Sequence, residues 1–168
     1  MSYKDHQSAA KSISVRCAIV TLSDTRTPET DVSGKRIADL LASDHHHVHE
    51  RHVIPDDPDR LAQLLEELLG LPELDAILTT GGTGITHRDQ TIAVIEKIID
   101  APLPGFGELF RMLSWQQIGS GAILSRAVGG VARKKLIFAM PGSTAAVELA
   151  MTKLILPELR HLMHQLRK

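Results

Sequence analysis

The stretch LTTGGTGITHRDQT, from Leu78 to Thr91, sets Gly81, Gly82, Thr83 and Gly84 at the end of an apolar run, with Arg88 and Asp89 a few residues further on. Glycine lacks a Cβ, so the backbone there can take positive φ and bring its N–H groups within hydrogen-bonding distance of a phosphate. The same glycines also suit a plain strand-to-helix turn. A second segment, MPGST, places Pro141, Gly142 and Ser143 ahead of a helical pattern, where free N–H groups, a hydroxyl and the positive end of a helix dipole come together. Ser143 alone reads equally well as a helix cap. The carboxylates close to such loops are Asp24, Asp56, Asp57 and Asp89. Asp57 stands directly before Pro58 and reads as a cap. Asp56 and Asp89, if they end neighbouring strands, suit a shared Mg²⁺, which takes one or two carboxylates plus substrate phosphates. Two better-known phosphate loops are excluded by position: a dinucleotide fingerprint starting at Gly82 fails at His87, and Gly34-Lys35 is followed by Arg36 rather than Ser or Thr.

These loops need elements to hold them. VRCAIVTL, from Val15 to Leu22, is a short apolar, β-branched run of the kind that forms a strand covered on both faces, and SDTRTPET after it is a polar loop carrying Ser23 and Asp24. From Ser33, SGKRIADLLASD sets Ile37, Leu40 and Leu41 on one helical face, with Ser33 as N-cap. HHVHERHVI alternates as a second strand. DDPDRLAQLLEELLG carries clear helix signals: Asp57 as cap, Pro58 at the first turn and Gly70 at the end. DAILTT is a third strand and TIAVIEKII a third helix. GELFRMLSWQQIG is helical by the spacing of Leu109, Met112 and Leu113, and Trp115 shares that spacing, which predicts packing. KLIFAMPG is a buried strand, STAAVELAM a helix, and Pro157 opens a last helix. Strands alternating with helices of this length predict an α/β three-layer sandwich, a mostly parallel sheet with helices on both faces. In such a sheet ligands bind beyond the carboxyl ends of the strands.

The chain has 168 residues, 43% of them hydrophobic, enough for one well-buried core; residues 1–14 read as a polar arm and 15–168 as a single domain. A formal net charge of -1 removes any bulk electrostatic case for nucleic acid or an anionic membrane as partner. A single cysteine, Cys17, precludes an intramolecular disulfide and a cysteine-based metal site. No apolar run reaches the roughly 20 residues that span a bilayer, and the cytoplasm is the expected compartment. The tract DHHHVHE resembles a metal ligand set, but alternate residues of a strand face opposite ways and no second ligand group follows at fixed spacing.

With TTGGTGITHRDQT, PGFGELFRMLSWQQIG, ILSRAVGG and KLIFAMPGST in this order, the sequence resembles the MoaB/MogA family of molybdenum-cofactor biosynthesis proteins over Val15 to Leu159, and its wording is nearer the MoaB branch. The resemblance implies a domain that assembles as trimers or hexamers and handles molybdopterin. In the family's active members molybdopterin and Mg²⁺-ATP give adenylyl-molybdopterin and pyrophosphate. By position, Asp56 and Asp89 match the acidic, metal-holding site residues and Gly81 to Gly84 the phosphate-binding turn. Ser23-Asp24 match the first-strand loop, and Pro141-Gly142-Ser143 the pterin-side loop. Many relatives carry a lysine shortly after the Pro-Gly turn, where this chain has Ala145 and Ala146, so a positive contact is either missing or supplied elsewhere, for example by Arg88 or Arg126. The retained Arg88-Asp89 pair favours the enzyme. The missing lysine keeps open a second reading, a protein that binds molybdopterin or its precursor without nucleotide chemistry. The block with Phe106, Phe110, Leu113 and Trp115 is expected to bury surface against another subunit.

Overall fold

The computed structural model describes residues 12–168, so most of the expected polar arm lies outside the described residues. Six strands form one sheet: β1 (Arg16–Leu22), β2 (His47–Ile54), β3 (Ala76–Thr80), β4 (Ala101–Pro102), β5 (Val128–Ala132) and β6 (Lys135–Met140), in the order β2-β1-β3-β6-β5-β4. The first three and β6 run parallel; β5 is antiparallel to β6 and β4 antiparallel to β5. Every residue of β3 and β6 is buried, as expected of central strands with both faces covered.

Alternation along the strands divides the core in two. On one face Cys17, Ile19, Leu78 and Phe138 meet Ile37 and Leu41 of α1 (Val32–Ser43), Phe106 and Phe110 of α4 (Pro104–Ile118), and Val147 of α5 (Thr144–Ala150). On the other, Ala18, Val20, Ile77 and Ile137 meet Leu61, Leu65 and Leu68 of α2 (Pro58–Leu69) and Ile92 and Ile95 of α3 (Thr91–Ile98). The three-layer arrangement anticipated from the sequence is therefore the observed one. Asp57 caps α2 through the N–H groups of Asp59 and Arg60, and Gly70 ends it.

Several elements differ from expectation. The cap of α1 is Asp31, not Ser33, because the Asp31 carboxylate accepts from Gly34 N while the Ser33 hydroxyl is directed elsewhere. Helix α4 begins at Pro104, three residues before Gly107. Pro157 does not start a separate helix. The chain runs from α5 through a π turn at Met151–Ile155 into α6 (Leu156–Leu166). A proline has no N–H to give and crowds the carbonyl four residues back, and the wider turn just before it relieves that conflict. The β5–β6 hairpin closes on Arg133 and Lys134, both at positive φ, with Arg133 N held by Asp100.

The aromatic block of α4 divides between two environments. Phe106 and Phe110 are buried in the core, whereas Trp115, expected to pack, is 61% exposed together with Leu109, Met112 and Ile118. The helix has an apolar stripe on each side, and only one meets the sheet.

His46, within the histidine-rich tract, anchors the start of β1. Its Nδ1 accepts from Val15 N at 3.1 Å and its Nε2 edge meets the Asp44 carboxylate at 3.1 Å. Arg160 of α6 donates to Asp44 and approaches the same ring nitrogen. Burial, then the Arg160 charge, holds the imidazole below its ordinary value against the opposing pull of Asp44. The folded protein thus prefers neutral His46, so this stabilisation is complete above the ordinary value of 6.5 and declines as pH falls below it. Urea unfolding at pH 7.5 and 5.5 should show a drop in stability that is smaller in His46→Gln, and at pH 7.5 this variant should be less stable by about 1 kcal/mol for the lost acceptor of Val15 N. Equal pH dependence in both proteins would refute the assignment.

Candidate functional site

Strand β1 lies between β2 and β3, so successive connections leave it in opposite directions. The reversal makes the region beyond the carboxyl ends of β1 and β3 a topological switch point, the position where open α/β sheets take ligands. The loops after β1, β3 and β6 meet there, backbone against backbone. Gly81 has φ 98°, and a Cβ on it would stand 2.2 Å from the Leu22 carbonyl oxygen. A Cβ on Gly142 would stand 3.2 Å from Gly81 Cα. Gly81 N donates to Met140 O at 3.1 Å and the Thr80 hydroxyl to Pro141 O at 3.0 Å, which ties the second loop to the third. Gly82, at φ 60°, is overhung by the Thr91 hydroxyl and Asp56 Oδ1. Close packing alone therefore requires glycine at 81 and 82. Thr83 is buried beneath the turn and Gly84 is covered by the Asp89 carboxylate.

The acidic residues gather on this edge, though not as neighbouring strand ends: Asp56 follows β2 and Asp89 follows β3, with β1 between them. Asp56 N donates to Asp24 Oδ1 at 3.1 Å, and Asp24 Oδ2 pairs with Arg88 at 2.8 Å, so the loops after β1, β2 and β3 are linked by charge. Asp56 Oδ1 is buried without a hydrogen-bond partner among the described residues. Burial, then the charges of Asp24 and Asp89, raise its carboxyl above the usual range, with Arg88 opposing. Asp89 behaves oppositely. Its carboxylate accepts from the Thr86 hydroxyl at 2.6 Å and from Thr86 N at 2.9 Å, and these bonds hold it low. Arg126 reaches the same loop and donates to Gly84 O at 2.6 Å. Among the described residues no group of three or more His, Cys, Asp or Glu converges as a complete metal cage. The unpaired Asp56 Oδ1 leaves one carboxylate oxygen available, and Mg²⁺ takes as few as one or two protein carboxylates, completing its shell with water and substrate phosphate.

On the other side of the cleft Ser143 caps α5, its hydroxyl accepting from Ala146 N at 3.2 Å. A hollow of about 200 Å³ follows, lined by Ser125, Pro141, Ser143, Ala145 and Ala146. In the first loop the Ser23 hydroxyl accepts from Arg26 N at 3.2 Å, holding a tight turn.

Asp31 is the residue that sequence reasoning missed. It is 3% exposed and its carboxylate accepts from the Thr21 hydroxyl at 2.8 Å, Gly34 N at 2.9 Å and Arg51 at 3.2 Å. Arg26, 3.8 Å from Asp31, donates to the Ser33 hydroxyl, which donates to Gly142 O at 2.8 Å. One buried carboxylate thus braces the first loop, β2 and the Pro-Gly turn. A signal was available: an acidic residue three positions before Gly34 at the start of a helix is a cap pattern.

Sheet order, switch-point cleft and glycine turn together define an α/β protein of the ligand-binding, open-sheet class. Residues 18–161 match a family model described as "Probable molybdopterin binding domain". The chain is 48% identical over 169 residues to molybdenum cofactor biosynthesis protein B of Halalkalibacterium halodurans, an alignment covering 100% of this chain and 99% of that one. Its fold matches a crystal structure of molybdenum cofactor biosynthesis protein B with a TM-score of 0.90 and 49% identity, over 92% of this chain and 97% of that one. It also matches the tungsten cofactor synthesizing protein MoaB of Pyrococcus furiosus, with a TM-score of 0.83 and 31% identity over 92% and 98% of the two chains. The chain belongs to the molybdenum cofactor biosynthesis protein family.

The packing of Gly81 generates a direct test. Gly81→Ala should cost at least about 3 kcal/mol in urea unfolding, combining positive φ with a contact against the Leu22 carbonyl that cannot yield. Gly105→Ala, on α4 with nothing within 4 Å of the added carbon, should be neutral or stabilise by about 0.5 kcal/mol. Similar outcomes at the two positions would contradict this account.

Proposed function

We propose that this chain adenylylates molybdopterin, using Mg²⁺-ATP and releasing pyrophosphate. The observation that carries this reading is the grouping of Asp24, Asp56 and Asp89 beside the Gly81–Gly84 turn at the switch point, with Asp56 Oδ1 left without a partner. A terminal phosphate oxygen of the pterin attacks the α-phosphorus of ATP as the bond to pyrophosphate breaks, so no proton has to be moved by the protein. What the protein must supply is position and charge. Backbone N–H groups of the glycine turn and the N-terminus of α5 bind phosphate oxygens. Arg88 and Arg126 stand on the same edge and supply the positive charge that Ala145 and Ala146 cannot. Asp56, with Asp89 and Asp24 beside it, would hold the Mg²⁺, which would supply positive charge against the phosphates. Asp89 also shapes the loop through Thr86.

A second reading rests on the alanines at 145 and 146: a carrier that binds molybdopterin or its precursor without consuming ATP. Incubation of the protein with molybdopterin, ATP and Mg²⁺ separates the two. Adenylyl-molybdopterin should appear, and Asp89→Asn, which keeps the shape and loses the charge, should lower its rate about a hundredfold or more while the fold stays intact. Wild-type protein that binds pterin and never consumes ATP would establish the carrier, and an Asp89→Asn variant with full turnover at limiting Mg²⁺ would remove Asp89 from the site.

The reading extends to a trimer or hexamer. The outward stripe of α4, Leu109, Met112, Trp115 and Ile118, is followed in the chain by exposed Ile123 and Leu124, apolar surface of the kind that copies of a chain bury against each other. Sedimentation equilibrium at micromolar concentration should give a multiple of the chain mass, and Trp115→Glu should shift it toward the single chain. A monomeric wild type would overturn this part of the proposal.

A further inference from the structure

Thr91 is the first residue of α3, and its backbone N–H donates to Gly82 O at 3.1 Å, which locks the glycine turn to the helix that follows. Its side chain is a different matter. The residue is 1% exposed, yet its hydroxyl has no hydrogen-bond partner among the described residues. Valine has the same shape, fills a buried position equally well and leaves no polar group unsatisfied, so packing alone gives no reason for the hydroxyl. Asp56 Oδ1 is the second buried oxygen left unpaired on this edge. The two point at the same spot: a carbon placed as the Cβ of Gly82 would be 2.3 Å from Thr91 Oγ1 and 3.0 Å from Asp56 Oδ1. One is a hydroxyl that can donate and the other a carboxylate oxygen that can only accept when ionised. A side chain at position 82 would occupy the space that both oxygens border.

We propose that Thr91 is the positioning residue for Asp56: across Gly82 its hydroxyl donates to Oδ1, fixing how the carboxylate is presented to a divalent cation. The inference rests on the Mg²⁺-ATP reading above. It assigns Gly82 a second role, since any side chain there would separate donor from acceptor. It also gives a role to a buried hydroxyl that has no partner among the described residues. Carboxylates that hold metals are themselves held by donors behind them, and loss of such a donor weakens metal affinity by about 10- to 100-fold.

The test uses the full chain, with Mn²⁺ as a paramagnetic substitute for Mg²⁺, and reads binding of Mn²⁺ in the presence of ATP by electron paramagnetic resonance. Thr91→Val should weaken Mn²⁺ binding about tenfold, and Thr91→Ser, which restores the hydroxyl, should return to within about twofold of wild type. The thermal midpoint of Thr91→Val should be unchanged or higher, because the unsatisfied hydroxyl has been removed. In the Asp56→Asn background Thr91→Val should cause no further loss, since the group it orients is gone. Wild-type affinity in Thr91→Val, an equal loss in Thr91→Ser, or additive losses with Asp56→Asn would each overturn the proposal while leaving the Mg²⁺-ATP reading in place. Should Thr91→Val not fold, Thr91→Ala against Thr91→Ser gives the same comparison. Wild-type protein that binds no Mn²⁺ with ATP would remove the parent reading and this inference together.

Discussion

Backbone packs directly on backbone where β1, β3 and β6 end, and the rest of the site depends on that contact. Gly81 is held between the Leu22 carbonyl and Gly142, and no other residue type fits the space or the torsion angle. The contact brings the three loops close enough for their short side chains to reach one another, so that Thr80 bonds Pro141 O and the acidic residues of separate loops sense each other's charge. A cleft built on longer side chains would leave its polar groups farther apart and free to choose rotamers.

A buried carboxylate braces the outer wall of the same cleft. Asp31 caps α1, receives Thr21 from β1 and Arg51 from β2, and neighbours an arginine that reaches toward Gly142 O through Ser33. Its oxygens are all engaged, which is the condition under which a buried charge is tolerated. The division of labour among the acids follows from their surroundings. Asp31 has all its donors and braces backbone, and Asp89 shapes its loop through Thr86, while Asp56 keeps one buried oxygen that no donor reaches.

Features with a local cause were readable in the sequence. Asp57 before Pro58, Gly70 after α2, Ser143 ahead of α5 and the apolar runs of β1, β3 and β6 each carry their signal within a few residues, and each is found where it was expected. Features decided by distant contacts were not. The β5–β6 hairpin lacks the usual Asn-Gly, because Asp100 holds the turn at Arg133 and Lys134 from outside. Trp115 shares its spacing with core residues, and only the position of α4 against the sheet shows that it faces outward. The route through Pro157 depends on a π turn that no residue pattern announces. In the candidate site the glycines and the acids were legible as types. Their pairing across loops, and the place of Thr91 and Asp31, required the topology.

The two ends of the sheet bear on how copies of this chain can avoid adhering wrongly. An edge strand exposes unpaired N–H and C=O groups and invites another strand to add itself, the first step toward fibrous aggregation. Here β2 closes one edge with His47, His49, Glu50, Arg51 and His52 along its length, and β4 closes the other with two residues ending in Pro102, which has no N–H to offer. Both edges are poor templates. Sheet extension is disfavoured at either end, so the exposed stripe of α4 can remain apolar without exposing the protein to that hazard at its strands.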